Sequence, residues 1–284
     1  MLAQLLINTV ALAGIILLIF SISIWITRHV VVEVTKKQQF SQSPIIGTLA
    51  VAAYFTVALA VIVLFFKHLP GVTGAFLTVV FTLITYRFFV TFFSATGSDA
   101  EGIGIRLLAA TGGIAITLLW TLYPNWFTID IAATLVAITV LVMLGGLSLQ
   151  TVTIIAIGVM LYDIVAVFVT GQMMEAAGAA KSMPMLFIIP KSFALGSAPA
   201  QMLGLGDVVI PGAVILAALR KDIPRAYILT LIGYFVGLLV AIAVVYVTRV
   251  MQPATIYLVP GVLTGLLIAA YRSGMLKQVF APEE

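Results

Sequence analysis

Apolar runs about as long as a bilayer-spanning helix follow one another, almost without pause, from residue 3 to residue 271. Nine such spans are read: 3–27, 45–66, 72–93, 104–123, 128–146, 149–171, 199–220, 226–249 and 253–271. Apolar residues are continuous within each run, which argues against a transmembrane barrel, whose strands alternate polar and apolar positions. Only 8% of the chain is charged and 63% is hydrophobic. A soluble domain carries roughly 25% charged residues. A solvated surface cannot be built from this sequence, so soluble enzymes and nucleic-acid-binding proteins are excluded as whole-chain readings. The expected fold is an all-α, polytopic membrane protein in a single transmembrane domain over residues 1–284. Its first six spans lie within 3–171 and its last three within 199–271.

The first span lacks a basic start, and its apolar run exceeds a signal-peptide core, so it reads as a retained helix. The longest connections are 28–44 and 172–198. The second is not strongly hydrophilic and is expected to lie partly in the membrane interface. With no cysteine in the chain, disulfide and thiolate chemistry are not available.

Nine spans put the termini on opposite sides. The side reached after the first span carries Arg28, Lys36, Lys37, Arg87, Arg106, Arg220, Lys221, Arg225, Arg272 and Lys277. The other carries Lys67, Lys181, Lys191 and Arg249. By the positive-inside rule, the N-terminus is expected outside and the C-terminus in the cytoplasm. The pI near 9.4 then reports topology rather than an anionic ligand.

Charge at bilayer depth is costly and is functional by default. Of the ten acidic residues, Glu33, Asp99, Glu101, Asp130, Glu175, Asp222, Glu283 and Glu284 fall in loops, tails or helix ends. Asp163 and Asp207 remain, both inside apolar runs. Asp163 lies eight residues before the end of its span, and Asp207 eight residues after the start of the next. Both would then sit roughly 12 Å from the same face. Two carboxyls that meet there can hold one proton between them, with one acting as base towards water and the other as acid towards a carbonyl or leaving amine. Residue content alone leaves three readings open: a peptidase, a proton- or cation-coupled secondary transporter, and a buried structural pair in a scaffold for membrane helices.

Gly204 and Gly206 flank Leu205 just before Asp207. They can open the helix entry or admit another chain closely, and they can equally serve tight helix packing. Pro253 and Pro260 bracket the start of the ninth span, where Pro253-Ala254-Thr255 faces the same side as both aspartates. Proline at a helix start is also ordinary. Gly233/Gly237 and Gly261/Gly265 have GxxxG spacing, read first as packing within the fold and only second as a site of self-association. Homo-oligomerisation is compatible with the sequence but not required by it.

In this order, Tyr162-Asp163, Gly204-Leu205-Gly206-Asp207 and Pro253-Ala254-Thr255 resemble motifs of the presenilin and signal peptide peptidase family of intramembrane aspartyl proteases. They stand where that family has YD in its sixth helix, GxGD in its seventh and Pro-Ala-Leu at its ninth. The strings Gly-Leu-Gly-Asp-Val-Val-Ile-Pro-Gly and Gln-Pro-Ala-Thr-Ile-Tyr-Leu-Val-Pro look more like signal peptide peptidase than presenilin, and the short chain looks like an archaeal or other microbial homologue, which implies the plasma membrane of a prokaryote. Thr255 departs from the pattern, because the family has leucine there.

The resemblance implies an aspartic endopeptidase with Asp163 and Asp207 as catalytic residues. Tyr162, Gly204, Leu205, Gly206, Pro253, Ala254 and Thr255 are then expected to contact substrate, in part by pairing main chain with an unwound helix. The implied partners are transmembrane helical peptides or signal peptides within the lipid bilayer, including type II membrane proteins, and no nucleic acid. No cofactor or metal is expected. His29 and His68 sit at helix ends outside any His-Glu-x-x-His string, so both read as interfacial.

Overall fold

The computed structural model describes residues 2–34, 70–97, 102–169, 184–192, 194–248, 250 and 252–280. Its helices are α1 (Leu2–Val34), α2 (Pro70–Ala95), α3 (Ile103–Leu122), α4 (Trp126–Leu144) and α5 (Leu149–Ile164), then α6 (Leu205–Arg220), α7 (Ala226–Thr248), α8 (Thr255–Arg272) and the short α9 (Leu276–Phe280). Strands β1 (Leu186–Pro190) and β2 (Pro199–Gly204) stand between α5 and α6. Among the described residues, seven helices are long and apolar enough to cross a membrane: all of α1 to α5, with α7 and α8. The expected span at 45–66 lies outside the described residues.

Two expectations change here. The architecture is mostly helical but not all-α, because residues 186–190 and 199–204 form an antiparallel hairpin. The span expected over 199–220 therefore begins as a strand, and its helix starts only at Leu205. The physical reason lies in the local sequence. Pro199 and the glycines before Asp207 are poor helix interior, whereas Leu186-Phe187-Ile188-Ile189 is a short apolar run between Pro184 and Pro190 that suits a buried strand.

The chain packs as two compact units. One contains α1, α2, α3, nearly all of α4, and the hairpin. Within it, α2 and α3 approach closely at Gly113, where an added Cβ would stand 3.0 Å from the Tyr86 backbone nitrogen. Beside that contact the Thr82 and Thr117 hydroxyls bond at 2.8 Å. Small residues and hydroxyl bonds are what brings helices together where lipid removes the hydrophobic drive. The rings of Trp25 on α1 and Phe92 on α2 lie 5.8 Å apart, centroid to centroid. His29 bonds through Nδ1 to the Trp25 carbonyl oxygen, one turn back along its own helix, at 2.7 Å.

The other unit holds α5 to α9. Its seam is α7 against α8. A Cβ on Gly233 would stand 2.0 Å from the Gly261 carbonyl oxygen, and one on Gly265 would stand 2.1 Å from that of Leu229. Gly237 would meet the Tyr257 carbonyl oxygen at 2.5 Å. The two GxxxG pairs thus pack on each other within the chain, as their first reading held. Nearly every side chain of α6 from Val208 to Ala218 is buried, which is the environment of a helix apolar on all faces. Its last residue, Arg220, donates to the Leu147 carbonyl oxygen ahead of α5.

Candidate active site

Three segments of the second unit build the site. The first is the end of α5. Ser148 starts that helix as its N-cap, accepting the Thr151 N–H at 3.1 Å, and sixteen helical residues follow. Asp163 is the penultimate residue, buried at 5% exposure. Immediately beyond it the chain widens into a π-helical turn over Val165–Val169, a feature that recurs at functional sites.

The second segment is the start of α6. Asp207 is its third residue and lies in the first turn. The depth argued from a helix beginning at 199 does not hold, since residues 199–204 are strand. Among the described residues, none stands within 4 Å of where a Cβ on Gly206 would project, so none of them demands glycine there. Gly204 closes β2 opposite Leu186, and the Leu205 N–H donates to the Met185 carbonyl oxygen at 2.8 Å.

The third segment is the start of α8, where Pro253, Ala254 and Thr255 are all buried. Thr255 is 1% exposed. Its backbone N–H donates to Asp207 Oδ1 at 3.1 Å, and its hydroxyl donates to Asp163 Oδ2 at 2.5 Å. One residue therefore holds both carboxyls, by atoms that are neighbours in its own covalent frame. The backbone bond is available to any residue but proline at this position. The hydroxyl bond needs Ser or Thr, and leucine could not make it.

The expected residues divide accordingly. Asp163, Asp207 and Thr255 are brought together. Pro253 and Ala254 lead into Thr255, and Tyr162 is partly buried beside Asp163. Gly204 and Leu205 belong with the hairpin unit.

Two further residues escaped the sequence reading. Tyr234 of α7 is fully buried, and its hydroxyl donates to the Asp207 carbonyl oxygen at 3.4 Å. Nothing in an apolar helix singles out such a tyrosine. The sequence places Asp130 among the helix-end acids. It lies inside α4 at 8% exposure, and its Oδ1 accepts the Ile188 N–H of β1 at 2.7 Å. Its apolar neighbours Ile129, Ile131, Ala132 and Ala133 were the available signal.

The fold is that of a presenilin family intramembrane aspartate protease. Two solved structures of such a protease match with TM-scores of 0.65 and 0.63, at 19% identity, covering 93% and 91% of this chain and 97% of theirs. The sequence narrows this further. The family model for signal peptide peptidase matches residues 1–284, and the chain belongs to that family. It is 33% identical to human signal peptide peptidase over 136 residues, which is 45% of this chain and 36% of that protein. It is 26% identical to mouse signal peptide peptidase-like 2A over 205 residues, 63% of this chain and 39% of that one. The matches thus span well under half the length of these relatives.

Proposed function

We propose that the protein is an intramembrane aspartic endopeptidase in which Asp163 and Asp207 activate one water for peptide hydrolysis. The observation that carries this reading is the pair of hydrogen bonds from Thr255, its N–H to one carboxyl and its hydroxyl to the other. Two carboxyls joined through one residue can keep one proton between them. In the hydrolysis, one takes a proton from water as the oxygen attacks the scissile carbonyl carbon. The other gives its proton to the carbonyl oxygen. When the tetrahedral adduct collapses, the amine leaves with a proton and the pair returns to its starting state.

An intact helix uses its own carbonyls and N–H groups for its internal bonds, so a substrate must unwind before attack. The unwound stretch can pair its main chain with the Gly204–Gly206 backbone and the Pro253–Thr255 segment. Gly206, with room beside its Cα, leaves space for the substrate main chain. Pro253, Ala254 and Tyr162 complete the expected contacts. Thr255 adds to its docking role a second one, the spacing of the carboxyls. The substrates in this reading are transmembrane helices and signal peptides. The setting is a prokaryotic plasma membrane, with the N-terminus outside and the C-terminus cytoplasmic.

Mass spectrometry of a helical membrane peptide, incubated in liposomes with the protein or with Asp207→Ala, tests the reading. Defined fragments from the first and none from the second are expected. Undiminished cleavage by the mutant would refute the dyad, and substrate-driven proton flux without cleavage would point to transport instead.

A further inference from the structure

The entry to α8 lacks the devices that usually fix a helix start. Ala254, the N-cap, has no polar side chain to cap with, and Pro253 before it carries no N–H. The first N–H of the helix, that of Thr255, goes to Asp207, and the Thr255 hydroxyl goes to Asp163 rather than to its own helix. The Ala254 carbonyl oxygen accepts twice, from the Tyr257 N–H at 2.9 Å and from the Leu258 N–H at 3.0 Å. Among the described residues, a side-chain clasp stands in for the missing cap. The Tyr257 hydroxyl donates to Gln252 Oε1, back across Pro253, Ala254, Thr255 and Ile256. A capping box joins the N-cap to the third helical residue. Here the third helical residue reaches two positions beyond an N-cap that has no side chain to offer. Tyr257 is a firm post for such a clasp. Its carbonyl oxygen lies so near α7 that a Cβ on Gly237 would stand 2.5 Å from it. Leu258 and Val259, next along the helix, are buried.

The clasp closes a ring around the one residue that holds both carboxyls. The Thr255 N–H and hydroxyl diverge from a single Cα, so any swing of the helix entry moves both bonds at once. We propose that Gln252 and Tyr257 are positioning residues: their side-chain hydrogen bond fixes the entry of α8, and with it the aim of the Thr255 N–H at Asp207 and of the Thr255 hydroxyl at Asp163. The proposal rests on the protease reading above and deepens it. Neither side chain needs to touch the reacting atoms, because both act through Thr255. Phenylalanine at 257 keeps the ring and its packing and loses only the donor. Methionine at 252 keeps an unbranched chain of similar length and loses the amide acceptor. Both changes leave the main chain of residues 253–255 chemically intact, which is the part expected to meet substrate.

The test uses the full chain in lipid nanodiscs, with Tyr257→Phe, Gln252→Met and the double variant beside the wild type. Two quantities are read: hydrogen exchange of residues 254–258 without substrate, and KM and kcat for one helical membrane peptide. Each single change is expected to raise exchange and to lower kcat by about fivefold, the size of one net hydrogen bond, with KM changed by less than about twofold. The double variant is expected to match the singles, because both changes remove the same bond. Unmoved exchange or unmoved kcat in Tyr257→Phe overturns the proposal. So do losses that multiply in the double variant, because the two side chains would then act separately. A raised KM at unmoved kcat also overturns it, because the segment would then serve docking alone. If Tyr257→Phe does not fold, Gln252→Met decides: a lowered kcat at steady KM supports the proposal and an unmoved kcat overturns it. Absence of cleavage by the wild type overturns the protease reading and this role together. Cleavage by the wild type with unmoved kcat in both single variants overturns this role alone.

Discussion

Asp130 and Asp163 are buried to nearly the same degree, at 8% and 5% exposure, yet their surroundings divide their roles. Asp130 sits in the hairpin unit and accepts one main-chain N–H from a strand. Asp163 sits in the other unit and accepts a hydroxyl from a residue that also holds Asp207. A single carboxyl spent on a strand amide can fix architecture. A pair joined through one residue can divide the work of acid and base. What separates the two cases is the second carboxyl: burial alone would have ranked Asp130 with Asp163 and left half-buried Asp207 out.

The largest test of this contrast removes the carboxyls of the pair. Asp163→Ala and Asp207→Ala are each expected to lower cleavage by at least about a hundredfold, as loss of acid–base catalysis does. The check is fragment appearance by mass spectrometry. Asp130→Asn should stay near the wild-type rate, and equal losses at all three positions would erase the distinction.

Thr255→Val comes next. Valine keeps the shape and the backbone bond and deletes only the hydroxyl. A hydrogen bond to a charged group contributes about 1.5–3 kcal/mol, so kcat is expected to fall by roughly ten- to a hundredfold, with recovery in Thr255→Ser. Single-turnover kinetics would show it. An unchanged kcat would reduce the hydroxyl to packing.

A pH–rate profile sharpens the same point. The pair should give a bell in kcat, with limbs belonging to the two carboxyls jointly. Asp130→Asn should leave the bell in place. A flat profile with chemistry rate-limiting would count against the shared proton.

Smaller effects follow from the supports. Tyr234→Phe deletes one long hydrogen bond to the Asp207 main chain and should cost about 0.5–1.5 kcal/mol, seen as a modest drop in thermal midpoint and a few-fold loss of rate. Gly206→Ala meets no neighbour among the described residues. Its thermal midpoint should hold within a degree or two, as for an ordinary surface substitution. A higher KM with that unchanged midpoint would mark Gly206 as a place where substrate main chain approaches.

The helical spans were legible because a run of about twenty apolar residues has few other uses. The described helices begin and end within a few residues of the expected limits, apart from the longer α1, the end of α5 at Ile164, where a π-helical turn takes over, and the start of α6. The pair was legible because two acids inside apolar runs stand out against so few charges. The hairpin was not. Five residues of apolar strand inside a connection carry too little periodicity to separate from loop. Asp130 was lost through nearness to a helix start, which hides how deep a side chain is buried once a strand lies across it. The two hydrogen bonds of Thr255 depend on three segments meeting, and no local pattern encodes such a meeting. At Thr255 the sequence showed only a departure from the family's leucine. The fold turns that departure into a contact with Asp163.

The seam between α7 and α8 bears on how the site withstands change in its surroundings. Most helix contacts are padded by side chains that hop between rotamers as temperature and lipid vary. Along Gly233, Gly237, Gly261 and Gly265 there is no padding, only main chain against main chain. Such a joint has almost no conformational slack to gain on warming or lose on cooling. Tyr234 and Thr255, carried on its two halves, thus share a ruler of fixed length. A thicker or thinner bilayer would tilt the two helices together before it altered the distance between them.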